Sequence, residues 1–138
     1  MGLKERRKAK EFQEDRLPAL QAKLNKVAKF EVPLEINWDT LSVDDQGDNY
    51  DIYWPMVYFE PLINGFKKIC DDDMGQEALQ EVLQKVVMQN FSDNWSANHW
   101  ARFDRKTGVL TLNHSPVLNV PRVEEREVEL INAIESEL

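Results

Sequence analysis

The stretch Phe30-Glu31-Val32-Pro33-Leu34-Glu35-Ile36-Asn37-Trp38 alternates apolar and polar residues without a break. A period of two puts Phe30, Val32, Leu34, Ile36 and Trp38 on one face and their neighbours on the other, the pattern of a half-buried β-strand. Pro33 has no amide hydrogen to give to a ladder, so this strand belongs at a sheet edge or at a bulge.

On either side of it the period changes to that of a helix. From Leu3 to about Ala28 the chain is rich in helix formers, and Leu17, Leu20, Leu24 and Val27 make one apolar stripe. Pro18 either kinks a continuous helix or lies in the first turn of a second helix that begins near Leu17. Residues 1–12 lack such a stripe, and they are expected to fray as a basic helix end or to dock as an arm on an acidic surface.

Residues 39–51 read as a loop with one short helical turn around Leu41 and Val43. Tyr53, Trp54, Val57, Tyr58, Leu62, Phe66, Ile69 and Cys70 then return to helical spacing. They predict a helix from Tyr53 to Ile69, with Pro55 near its start and a bend at Pro61. Asp71, Asp72, Asp73 and Gly75 separate it from an amphipathic helix predicted over Gln76–Gln89, whose stripe is Ala78, Leu79, Val82, Leu83, Val86 and Val87.

After a polar loop over 90–98, two alternating runs, 99–104 and 109–114, flank Arg105-Lys106-Thr107-Gly108. This is a β-hairpin signal, with Ala101, Phe103, Leu110 and Leu112 facing the core. A final helix is expected from Pro121, with Glu124 and Glu125 at its positive end and Val123, Ile131, Ile134 and Leu138 inward. The order α-β-α-α-β-β-α defines an α+β fold. A small antiparallel sheet of about three strands, including the hairpin near 99–114, is covered by four or so helices.

At 138 residues the chain is expected to form a single domain over 1–138, and its 42% hydrophobic content suits an ordinary core. Cys70 is the only cysteine, so no internal disulfide forms. In its apolar setting it reads as a small core hydrophobe and not as a nucleophile. The basic start runs into Glu11, Gln13, Glu14 and Asp15 where a secretory signal would be apolar, and no apolar run approaches the roughly 20 residues of a spanning helix. The expected location is the cytoplasm, where the sequons at Asn90, Asn94 and Asn113 carry no glycan.

Net charge is −8, but residues 1–10 alone carry +4, leaving −12 for the remaining 128. Between Lys29 and Lys67 there is no basic residue and there are eight acids. Such a field repels nucleic acid and anionic membrane, and neither is an expected partner.

Phosphate-binding glycine loops, G-x-S-x-G and H-E-x-x-H are all missing, so no cofactor is expected. The acids at 44–51 and 71–73 break the spacing of a calcium loop, and no metal is expected there. His99 and His114 fall at the two open ends of the hairpin, where antiparallel pairing makes them neighbours. With Asp93 or Asp104 as a third group they are the alternative site, for acid–base or metal chemistry. The leading reading is non-enzymatic, a regulatory or interaction module of inhibitor or immunity type. It presents an acidic, aromatic-lined surface of Asp44, Asp45, Asp48, Asp51, Tyr50, Phe59 and Trp95 to a basic protein partner. A homodimer packed through helices such as Gln76–Gln89 is a further possibility.

Overall fold

A computed structural model describes residues 2–138. Its centre is the strand Lys85–Gln89 (β2), flanked by Leu34–Ile36 (β1) on one side and Val109–Asn113 (β4) on the other. Ala101–Asp104 (β3) closes the far edge, giving the order β1-β2-β4-β3. The protein is α+β, as its sequence predicts, with a four-stranded mixed sheet that carries the hairpin.

The sheet differs from the expected antiparallel one for a local reason. The helix predicted over Gln76–Gln89 ends at Val82, as Asp73–Val82 (α6), and its last residues form β2. Val86 and Val87 satisfy a helical stripe as well as a strand, and a short apolar run is ambiguous between the two. Tertiary pairing decides it. Leu83 turns extended at ψ 123°, and the amides of Gln84 and Lys85 both donate to the Gly108 carbonyl. β2 then runs parallel to β1, with Val86 opposite Leu34, and parallel to β4, with Val86 opposite Leu110. Only β3 and β4 pair antiparallel.

The helices cover one face of the sheet. Val86, Met88, Phe103, Leu110 and Leu112 are buried toward them, while Glu35, Arg102 and Asp104 are exposed on the other face. The N-terminal pair is Leu3–Asp15 (α1) and Leu17–Ala28 (α2), with Pro18 in the first turn of α2, so the chain starts a second helix and does not kink one. Residues 1–12 are not a frayed end across the described part. Ala9 and Phe12 are buried, and Phe12 sits among Trp54 (5.0 Å), Trp38 (5.9 Å) and Phe59 (6.0 Å). Two apolar residues are too few to show as a stripe, yet Phe12 alone fills the aromatic box.

β1 is shorter than the predicted 30–38 because its ends are claimed by helices. The amide of Val32 bonds Asn25 of α2, and Trp38 opens the short helix Trp38–Leu41 (α3). The next helix starts at Tyr50 and proceeds as Tyr50–Trp54 (α4), a π-helical turn over Pro55–Phe59 and Glu60–Ile69 (α5). Pro61 lacks a donor and crowds the carbonyl four residues back. The chain widens there, so that the Glu60 amide bonds the Pro55 carbonyl instead. The last helix, Val123–Glu135 (α7), buries Arg126, Leu130 and Ile134, a face rotated from the predicted stripe. No helix among the described residues is long and apolar enough to cross a membrane.

Candidate interaction surface

Three parallel strands, β1, β2 and β4, end on the same side of the molecule, so the loops that follow them meet. Side-chain amides stitch these loops together. The Asn94 amide donates both to the His99 carbonyl (3.1 Å) and to the Asn113 carbonyl (2.9 Å). Asn113 in turn accepts the Phe91 amide (2.8 Å), and Asn90 donates to the Thr40 carbonyl (3.2 Å) and to Asp93 (3.1 Å). Asn119 donates to the Trp95 carbonyl at 2.6 Å. Ser92, Asp93 and Asn119 sit at φ 67°, 46° and 51°, a left-handed conformation that Asp and Asn adopt readily and that is uncommon for Ser92.

The braced loops display large apolar side chains to solvent. Trp95 is 64% exposed, Phe91 49% and Leu118 42%. Asp93 is exposed between the first two, and Asp39 is exposed on α3, which the Asn90–Thr40 bonds tie to the same loop.

Beneath them lies a buried polar layer. The Arg126 guanidinium is fully buried and among the described residues makes no ion pair, and it donates instead to the carbonyls of Val120 (3.1 Å), Asn119 (2.5 Å) and Leu118 (3.4 Å). Burial pushes it down to about 10 from the ordinary 12.5. The neighbouring carboxylates are engaged elsewhere, Glu125 with Arg122 and Glu127 with Lys68. The Trp100 indole donates to the Arg126 carbonyl (2.9 Å), and the Tyr58 hydroxyl donates to the His114 carbonyl (2.5 Å). Burial holds that hydroxyl well above the usual tyrosine range. Arg126 thus clamps the 118–120 loop whose Asn119 holds Trp95.

His114 and His99 do not form one site. Asn94 links the His99 carbonyl to the Asn113 carbonyl that precedes His114, but the two histidine side chains part. His99 is exposed and bonds Ser96 Oγ (2.9 Å), whereas His114 is fully buried. A carbonyl only accepts, so the 2.6 Å contact to the Ser115 carbonyl puts the His114 proton on Nδ1. Burial pushes this imidazole down to about 4, against the Ser115 bond and with the Arg126 charge adding to the fall. Asp93 bonds Asn90, and Asp104 lies at the turn end of the hairpin, bonding the Lys106 amide (2.9 Å). β3 is four residues long and rises about 3.3 Å per residue, so Asp104 is remote from both histidines. Among the described residues no group of three or more His, Cys, Asp and Glu is placed to hold a metal ion.

The expected acidic surface is also redistributed. Tyr50 and Phe59 are core residues, contrary to their expected exposure. Tyr50 stacks on Trp54 at 4.2 Å and donates to the Val43 carbonyl, and burial pushes its hydroxyl up to about 12. Tyr50 lies one helical turn before Trp54 in a helix that starts earlier than predicted, and Phe59 lies in the π turn, which rotates the face it presents. Asp48 meets Lys4 (3.1 Å) and Lys8 (3.9 Å), and Asp51 meets Arg16 (4.0 Å). The Asp45 amide donates to Glu5 (3.3 Å), and the Asp44 and Asp45 side chains are exposed. The basic arm therefore docks within its own chain. Cys70 is buried at the end of α5, and burial pushes its thiol up to about 11, which suits a core residue.

Sequence reading missed Arg126 and the asparagine clamps, and it placed Tyr58 on the apolar stripe without the bond it gives to the His114 carbonyl. The clamps left a trace in the five asparagines at 90, 94, 98, 113 and 119. Arg126 shares a spacing of four with Leu130 and Ile134, so an inward face was legible there. The fold and this surface define an α+β protein with helices on one face of a mixed sheet and an aromatic platform at the strand ends. No family model, curated protein or solved structure matches the chain.

Proposed function

We propose that this chain is a non-enzymatic interaction module of the cytoplasm that binds a basic protein partner through the Trp95 platform. One observation carries the reading: a largely exposed tryptophan is held by its own carbonyl on a loop braced from both sides. Ordering a loop costs about 1–2 kcal/mol per residue, and a platform ordered in advance escapes that cost on binding. Trp with flanking apolar groups supplies an anchor, and Asp93 and Asp39 at its rim favour lysine and arginine on the partner. The remaining excess of acid, with Asp44 and Asp45 exposed, speeds encounter with such a partner.

The test uses a dye-labelled cationic probe peptide of alternating leucine and arginine, titrated with the full chain at about 50 and 150 mM salt and read by the anisotropy of the label. Trp95→Ala and Asp93→Lys are each expected to weaken binding about tenfold or more, and salt to weaken it further. Cross-linked capture from native lysate is then compared between wild type and Trp95→Ala. The reading fails if peptide and captured proteins alike are unaffected by Trp95→Ala and by charge reversal at Asp93, Asp44 and Asp45.

A further inference from the structure

β3 is the free edge of the sheet beyond β4. In the antiparallel ladder Trp100 accepts the Asn113 amide at 2.8 Å and Arg102 lies opposite Thr111. Alternation turns the main-chain groups of Arg102 toward β4 and those of Ala101 and Phe103 outward, away from the sheet. Beside this edge runs a groove of about 560 Å³, lined by residues 101–106, by Ala133 of α7 and by Glu137 just after that helix. Arg102 and Asp104 stand exposed on the open face of the sheet, and among the described residues neither makes an ion pair.

We propose that a second copy of this chain fills that edge. The two β3 strands pair antiparallel across a two-fold axis through Phe103, joining the sheets into one of eight strands. Charge selects this register. With Phe103 opposite Phe103 of the second copy, Arg102 lies opposite Asp104 of the second copy, and the symmetry makes the pair twice. Both residues point their main chains inward, so they form the closer, non-hydrogen-bonded pairs in which cross-strand side chains interact best. A register centred on Ala101 sets Trp100 against Arg102 and loses both pairs. One centred on Arg105 runs into the turn that begins there, where the extended backbone has ended.

Edge strands are commonly guarded by a charge that repels its own copy. A cation and an acid two residues apart do the reverse, because antiparallel self-pairing brings them together. Closed two-fold contacts of this self-complementary kind are the commonest in soluble oligomers.

Sedimentation equilibrium of the full chain tests this, with wild type, R102D, D104R and an equimolar mixture of the two variants. The wild type is expected to be a reversible dimer. Each variant alone faces its own charge twice, and its dissociation constant is expected to rise about tenfold or more. In the mixture the carboxylates of R102D chains meet the guanidinium groups of D104R chains, and the dimer is expected to return to within about threefold of wild type. A monomeric wild type, variants that dimerise as well as wild type, or a mixture no tighter than its parts would each overturn the proposal. Amide exchange of the wild type gives an independent reading. Exchange at Ala101 and Phe103 should slow as protein concentration rises, and concentration-independent exchange there also overturns it.

Discussion

The Asn119 side chain donates to the Trp95 carbonyl at 2.6 Å, while the Asn119 carbonyl accepts from the buried Arg126 guanidinium at 2.5 Å. One residue thus links the most solvent-exposed tryptophan to the most deeply buried cation. Its left-handed backbone, φ 51°, lets it face both ways, and asparagine is among the few residues that adopt this conformation readily.

Replacing Asn119 separates the clamp from the backbone. Asn119→Gly keeps the left-handed conformation and loses one hydrogen bond, with an expected cost of about 1 kcal/mol. Asn119→Ala adds the strain of a left-handed alanine, about 1 kcal/mol more. Urea midpoints measure the costs. Nitrogen-15 relaxation of the Trp95 indole is expected to show increased motion in both variants, and an indole as rigid as in wild type would mean that the clamp does not hold the platform.

Acid is expected to destabilise the fold through His114. Its pKa falls from 6.5 to about 4 on folding, so the unfolded chain binds the proton more readily. The sign follows from linkage: the neutral ring's contribution is complete above about pH 6.5 and is lost progressively as pH falls toward 4. The full difference corresponds to about 3 kcal/mol as an upper value. His114→Gln stays neutral throughout. Carboxylates titrate in both proteins, so the gap between the two urea-derived stability curves isolates the histidine. Parallel curves from pH 7 to 4.5 would contradict the buried neutral ring.

Packing, more than charge, is expected to hold α1 on the body. Removing the Phe12 ring empties the box between Trp38, Trp54 and Phe59, and Phe12→Ala is expected to cost about 3–5 kcal/mol. Asp48→Asn breaks two pairs whose partners are all substantially exposed, and such pairs contribute about 0–1 kcal/mol. Denaturant titrations at low and high salt compare the two. Equal losses would assign the docking to electrostatics.

The hairpin turn is expected to control the start of β2. Gly108 has φ 73°, and an added Cβ would collide with the Val82 carbonyl and approach the Gln84 amide to 3.0 Å. Its own carbonyl accepts from Gln84 and Lys85. Gly108→Ala is therefore expected to destabilise by at least about 1–2 kcal/mol, with amide exchange rising first at Gln84 and Lys85. A substitution without effect on either readout would show that the turn relaxes freely.

Much of this fold is legible in the chain. The alternation at Leu34–Ile36, the Gly108 turn and the acids after Pro121 each encode a local preference that tertiary packing keeps, although packing trims the 30–38 strand to those three residues. The surface was less legible. Of the three aromatics expected at the surface, Trp95 is exposed, whereas Tyr50 and Phe59 are buried. Tyr50 opens a helix that starts earlier than the predicted Tyr53 and packs one turn before Trp54, while Phe59 lies in the π turn, which shifts the face it presents.

By itself, then, the sequence determined the fold class, the hairpin and its inward residues and the core character of Cys70. These depend on periods, donors and turn conformations carried within a few residues of chain. Only the tertiary structure decided that 85–89 is a strand, that the basic arm docks beside Asp48 of its own chain, and that Arg126 lies inside. Each of those is settled by which distant groups come near: the Gly108 carbonyl for β2, the aromatic box for α1, and three loop carbonyls for the buried guanidinium. A local pattern holds no record of such partners, because they are supplied by chain tens of residues away.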